Sequence, residues 1–125
     1  MIHLDTSFLI RALGSGLAED RLLRVWFREA QTLGMSAVAW AEFLCGPIDA
    51  PIAELASRLV PDRPPFAAED AVLAARLYNG AGRRRGSLLD CMIAATAVRA
   101  GAALATSNPH DFRRFEPEGL RILTP

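Results

Sequence analysis

Two periods of hydrophobicity alternate along the chain. Short, largely apolar runs recur, and between them lie longer stretches in which apolar residues return every three or four positions. "IHL" at 2–4 predicts a first strand, followed by a short helix over "TSFLIRAL" at 6–13. "LAEDRLLRVWFREAQTLG" at 17–34 predicts an amphipathic helix that uses Leu22, Val25, Trp26, Arg28, Glu29 and Leu33 and stops at Gly34. "MSAV" at 35–38 predicts a second strand, leading into a helix over "AWAEFLCG" that Gly46 and Pro47 end. A further helix is predicted over "APIAELASRLV" at 50–60. "PDRPPF" at 61–66 then reads as a loop whose prolines allow a short edge strand. Two strong helices, "AEDAVLAARLYNGAG" and "SLLDCMIAATAVRAG", are each closed by glycine. "AALAT" at 102–106 predicts a strand, "PHDFRRF" a short helix and "LRILT" a last strand. Strands separated by helices predict an α/β fold with a mostly parallel sheet, in which ligands gather beyond the carboxyl ends of the strands.

The 125 residues, 51% of them hydrophobic, suit one domain over 1–125. No apolar run approaches the roughly 18 residues of a membrane span, and the N-terminus lacks a basic leader region, so a soluble cytoplasmic protein without membrane contact is expected. Cys45 and Cys91 form no metal-binding pair and are expected to be buried free thiols. Trp26, Phe27 and Trp40 are expected in the core, and His3 as packing. The formal charge is zero, and all fourteen basic residues are arginine. The absence of lysine excludes Schiff-base chemistry and a P-loop, and it argues against a phosphoaspartate receiver, which ordinarily needs a lysine.

The carboxylates carry the candidate chemistry. Asp5, directly before a helix and at the end of a strand, is either an N-cap or one wall of a charged site. Glu42 is the only acid between Leu33 and Ile48, and no arginine stands three or four residues away to pair with it. A carboxylate in so apolar a segment reaches solvent, finds a distant partner, is protonated or binds a cation. Asp90 follows Ser87 at capping-box spacing, or else points inward from the first helical turn. Asn108 and Asp111 fit the N-cap and N3 positions of a short helix, so each has a structural explanation as well. Asp5 and the 106–111 segment nevertheless follow strands at one sheet edge, which helices carrying Glu42 and Asp90 can flank. Carboxylates gathered there without lysine repel one another, and one or two Mg²⁺ or Mn²⁺ ions are the usual resolution.

"DTS" after the first strand, "AEFLCG", "LLDCMIAATA" and "LATSNPHDF" with a terminal "LRILTP", in that order and spacing, resemble a PIN-domain ribonuclease of the VapC toxin type. The resemblance runs nearly end to end and implies a three-layer sandwich with a central, mostly parallel sheet flanked by helices. It also implies a metal-dependent endoribonuclease whose substrate is RNA, with tRNA and rRNA as the candidate pools. The implied partners are a cognate VapB-type antitoxin, a second copy in a homodimer, and operator DNA reached only through the antitoxin. Asp5, Glu42 and Asp90 fall on the family's acidic positions, with Asp111 in a supporting or water-mediated metal role. Thr6 and Thr106 match small hydroxyl positions that orient carboxylates or bound water, while Asn108 is the alternative to Asp111 for the fourth site position and otherwise hydrogen-bonds within the site. Arg83, Arg84 and Arg85, just before the Asp90 helix, could hold RNA phosphates or merely form a solvated loop; Arg113 and Arg114 are a weaker version of the same case. The competing functions are a PIN-fold nuclease of RNA processing or DNA outside a toxin–antitoxin pair, and a non-catalytic module that binds antitoxin or nucleic acid.

Overall fold

A computed structural model describes residues 1–125. Its sheet has four strands in the order β2-β1-β3-β4, from β1 (Ile2–Leu4), β2 (Leu33–Gly34), β3 (Ala103–Ala105) and β4 (Ile122–Leu123), and every pairing is parallel. Six α-helices flank it: α1 (Thr6–Ala12), α2 (Ala18–Arg28), α3 (Ala37–Leu44), α4 (Ala50–Leu59), α5 (Ala68–Gly80) and α6 (Leu88–Arg99). This is the expected architecture, with the sheet wholly parallel.

The strands are short, but β1 and β3 are buried along their whole length. Burial on both faces explains why they read as continuous apolar runs rather than as alternating ones. One cluster of 25 buried apolar residues joins the sheet to the helices, with Leu4, Phe8, Phe43, Leu77, Leu104 and Phe115 among its fully buried members. The alanine-rich face of α6 lets it sink deep among its neighbours, and α5 is the helix it packs against most extensively. Asp70, itself buried, ties this pair together: it accepts from Arg99 Nη1 at 2.8 Å and, from the first turn of α5, from the Ala67 N–H at 2.7 Å.

The chain from 29 to 38 departs from the sequence expectation. α2 ends at Arg28 rather than at Gly34, because Ala30 turns left-handed (φ 55°) and the Ala30 and Gln31 amides bond back to Phe27 and Trp26 carbonyls. That releases Leu33 and Gly34 as β2, two residues before the strand expected over 35–38. Ser36 then stops the strand, since its hydroxyl accepts from Ala39 N–H at 3.0 Å and starts α3. The proline-rich edge does pair: Met35 and Ala37 amides donate to the Asp62 and Pro64 carbonyls at 2.9 and 3.0 Å. Gly34 permits this approach, for a Cβ there would meet the Asp62 carbonyl oxygen at 2.8 Å.

Three further expectations are corrected. Cys45 is exposed, because it caps the C-terminus of α3 beyond the buried Ala39 and Phe43; Cys91 is buried as expected. Phe27 is half exposed, whereas its neighbour Trp26 is buried and stacks on Phe8. Trp40 is partly buried, stacked on Phe43 with the Arg63 guanidinium over its ring. The helix expected over 109–115 is instead two 3-10 segments, Pro109–Asp111 and Arg113–Glu118. The three-residue spacing of 3-10 geometry places Phe112 and Phe115 on one face, where both enter the core in an edge-to-face pair.

Candidate active site

The carboxyl ends of β1 and β3 lie side by side, so Asp5 and Thr106 emerge together at one edge of the sheet. Asp5 is the N-cap of α1, yet the cap does not use up its carboxylate. Its Oδ1 accepts from the Ser7 and Phe8 amides and from Ser7 Oγ (2.7 Å), which starts α1. Its Oδ2 accepts from Thr106 Oγ at 2.6 Å. Three donors occupy Oδ1, while Oδ2 has one donor and keeps an acceptor direction free. Burial pushes this carboxyl above its ordinary range, and the hydrogen bonds from Thr106 and Ser7 oppose that shift.

Asp90 stands in the first turn of α6, and here the capping box does not form. Ser87 is in a helical-region conformation (φ −97°, ψ 0°), and its hydroxyl donates to the Arg84 carbonyl at 2.6 Å rather than capping α6. Asp90 points inward instead. Its pKa is pushed up to about 6, first by burial and then by the negative charge of Asp111, with Glu42 and Asp5 adding smaller contributions; Arg114 opposes the shift. The acids that raise Asp90 are the other three candidates from the sequence, which come within electrostatic reach of it from the end of β1, from α3 and from the 109–111 segment. No three of them are close enough to enclose an ion.

Glu42 resolves its unpaired position by reaching solvent. It sits at the margin of an apolar groove of about 600 Å³ formed by Ala37, Val38, Ala41, Cys45 and Leu89. Asp111, half-buried, shares with Asp90 a polar cavity of about 210 Å³, whose walls include Arg84, Arg85, Ser87 and Arg114. Asn108 is exposed and caps nothing through its side chain; its amide donates to Thr106 Oγ at 2.9 Å. Between these two residues, the geometry therefore places Asp111 beside Asp90. Arg83 is exposed and left-handed (φ 54°), and it does not line the cavity. Thr6 does not touch an acid: its hydroxyl donates to the Ala39 carbonyl at 3.1 Å, bracing α1 against the helix that carries Glu42.

Sequence reasoning missed the supports. Ser7, not Thr6, joins Thr106 in donating a hydroxyl to Asp5. Ser107 donates its amide to Ser7 Oγ (3.2 Å) and its hydroxyl to Glu19 Oε1 (2.9 Å). Glu19 is buried and also accepts from Arg11 Nε at 2.7 Å. Burial alone would raise the Glu19 carboxyl, but the Arg11 and Ser107 hydrogen bonds hold it below its ordinary range. An acid in the first turn of a helix reads as solvated, and nothing local marks Glu19 as the anchor of a loop 88 residues away. Arg114, the arginine nearest Asp90 at 3.8 Å, was likewise indistinguishable from Arg113.

A model of the PIN domain family matches residues 2–116. The VapC ribonuclease Mb1587 of Mycobacterium bovis is 36% identical over 114 residues, covering 83% of this chain and 84% of that protein. Ribonuclease VapC11 of Mycobacterium tuberculosis matches to the same extent. Among solved structures, VapBC2 from Rickettsia felis bound to a DNA fragment from its promoter superposes with a TM-score of 0.80 at 18% identity, over 100% of this chain and 99% of that one. VapBC-1 from nontypeable Haemophilus influenzae gives 0.74 at 22% identity, over 99% and 98%. The structural likenesses speak to fold, and the sequence matches to kinship: the chain belongs to the PIN-domain family and groups there with the VapC ribonucleases.

Proposed function

We propose that this protein is a metal-dependent endoribonuclease, the toxin of a VapBC-type pair, with Asp5, Glu42, Asp90 and Asp111 as its acidic site. The observation that carries this reading is the state of Asp90, half-buried and raised to about 6 by burial and by the three other acids. Mutual repulsion of this kind is what a cation relieves, and the donors are all hard oxygens, which fits Mg²⁺ or Mn²⁺. Such an ion supplies Lewis-acid charge neutralisation at a phosphodiester and a water of lowered pKa.

The chain's own residues supply orientation. Ser7 and Thr106 hold the Asp5 carboxylate so that only Oδ2 has an acceptor direction to offer the ion. Asp90 stands in the first turn of α6 and Asp111 at the end of the first 3-10 segment, and Glu42 approaches from the solvent side. Arg84 and Arg85 line the cavity beside Asp90, which supports a role in holding RNA phosphates; Arg83 does not line it. A VapB-type antitoxin is the proposed partner, consistent with the toxin–antitoxin assemblies of its structural neighbours. We extend the proposal to a homodimer that meets operator DNA through the antitoxin. No helix is long and apolar enough to cross a membrane.

The direct test is cleavage of end-labelled tRNA and rRNA by the purified protein in Mn²⁺ or Mg²⁺. Discrete cuts abolished by EDTA are expected, and Asp111→Asn should slow them by roughly 10- to 100-fold, the loss typical of a supporting group at a metal site. Cleavage that persists unchanged in EDTA would overturn the metal-dependent reading.

A further inference from the structure

We propose that the polar cavity beside Asp90 is a phosphate subsite, in which Arg114, Arg84 and Arg85, with the open first turn of α6, grip one RNA backbone phosphate flanking the scissile one. This rests on the ribonuclease reading above and assigns Arg114 a role of its own.

Charge comes first. The chain is neutral overall, yet three arginines and two aspartates meet at this cavity, a local excess of one positive charge. No apolar residue lines it. Its volume of about 210 Å³ equals roughly seven waters' share of liquid, enough for a phosphate and its residual hydration.

Arg114 is set up as a donor without an acceptor. Its Nε and Nη2 are buried and have no hydrogen-bond partner. These two nitrogens form one edge of the guanidinium fork, the edge that takes two oxygens of a phosphate side by side. Asp90 Oδ2 is 3.8 Å from Nη2, close enough for attraction and too far for a hydrogen bond. The ring of Phe115, 4.6 Å below the guanidinium, holds the fork there. The subsite requires the guanidinium to turn so that this edge faces the cavity, whose wall Arg114 helps to form. Of the two adjacent arginines only Arg114 does this, since Arg113 is exposed.

The helix terminus contributes independently. Ser87 spends its hydroxyl on the Arg84 carbonyl, so no side chain caps α6, and Cys91 is the first residue whose amide finds a carbonyl of that turn (Ser87 O, 3.0 Å). The uncapped start of this 12-residue helix leaves the amide of Asp90, which lines the cavity, without a carbonyl partner, and it sets the positive end of the helix dipole there. Gly86, at φ 80°, makes the bend that aims it.

The test uses inorganic phosphate and the metal-free protein in EDTA, followed by amide and Arg side-chain NMR. Saturable shifts are expected at residues 86–90 and at Arg114 Nε–H, with affinity about tenfold weaker in Arg114→Gln and in the Arg84→Gln/Arg85→Gln double variant. The double variant alters exposed side chains, so it reads the site even if loss of the Phe115 stack disturbs folding. Arg114→Lys keeps the charge and loses the fork, and should fall between the wild type and Arg114→Gln. Binding of poly(U) in EDTA gives a second readout: Arg114→Gln should reduce the slope of log affinity against log salt by about 0.7. No saturable shift, or equal shifts in the variants, would overturn the subsite. Failure of the ribonuclease reading is a separate outcome, because phosphate would then bind to a protein that cuts no RNA in Mn²⁺.

Discussion

Asp5→Asn is expected to lower RNA cleavage by about a thousandfold while costing the fold about 1 kcal/mol or less. Asparagine keeps an oxygen where Oδ1 accepts from the Ser7 and Phe8 amides, so the start of α1 survives. It loses the negative charge and replaces Oδ2 with a donor, removing the one acceptor direction left for a cation. Asp5→Ala is a different case. Losing the cap costs roughly 0.5–2 kcal/mol, and stranding the Thr106 and Ser7 hydroxyls adds about 1–3 kcal/mol. Single-turnover cleavage together with urea unfolding of both variants separates charge from scaffold. Wild-type cleavage by Asp5→Asn would remove Asp5 from the chemistry, and equal stability of the two variants would refute its role as a cap.

The second large effect is a gain in stability from destroying the site. Asp90 has a folded pKa of about 6 against an ordinary value of 3.8. A carboxyl raised on folding favours the folded state fully below pH ~4 and gives up that contribution as pH climbs through about 6. The shift of about two units corresponds to at most roughly 3 kcal/mol, and with the side chain 30% exposed, solvent screening brings this nearer 1–2 kcal/mol. In EDTA at pH 7.5, Asp90→Asn should therefore melt a few degrees above the wild type. The difference should shrink toward zero at pH 4, where the wild-type carboxyl is protonated too. Cleavage runs the other way: it needs Asp90 ionised, and because the bound ion favours the ionised form, its acid limb is expected below pH 6. Paired melting curves across pH 4–8 check this, and a wild type that gains stability over the variant as pH rises would contradict it.

Both effects come from acids that stand out in the sequence, because Asp5 closes a strand and Asp90 falls in the first turn of a strongly patterned helix. The parallel sheet was legible for a related reason: β1 and β3 are buried on both faces, so their residues cannot alternate. What could not be read were contacts between segments remote in sequence. Ser7, Ser107 and Glu19 form a polar chain from Asp5 to Arg11, yet each looks locally like an ordinary surface or capping residue. Local pattern also misplaced Ser87, whose spacing to Asp90 fits a capping box although its hydroxyl is taken by Arg84. The periodicity of α2 ran on to Gly34 because Leu33 falls at a helical spacing; the left-handed turn at Ala30 carries no signal in an alanine. Cys45 and Phe27 misled in the same way, since apolar character reports a preference for burial, whereas the end of α3 and the outer face of α2 lie in solvent.

The most direct test of a shared acidic metal site is a Mn²⁺ titration, by calorimetry and electron paramagnetic resonance, of the wild type, Asp5→Asn and Asp90→Asn. Because Asp5 and Asp90 come from different elements, a shared site of the kind proposed requires each substitution to weaken the same binding event by at least about tenfold. Mn²⁺ binding of wild-type strength in both variants would show that these acids do not form one metal site.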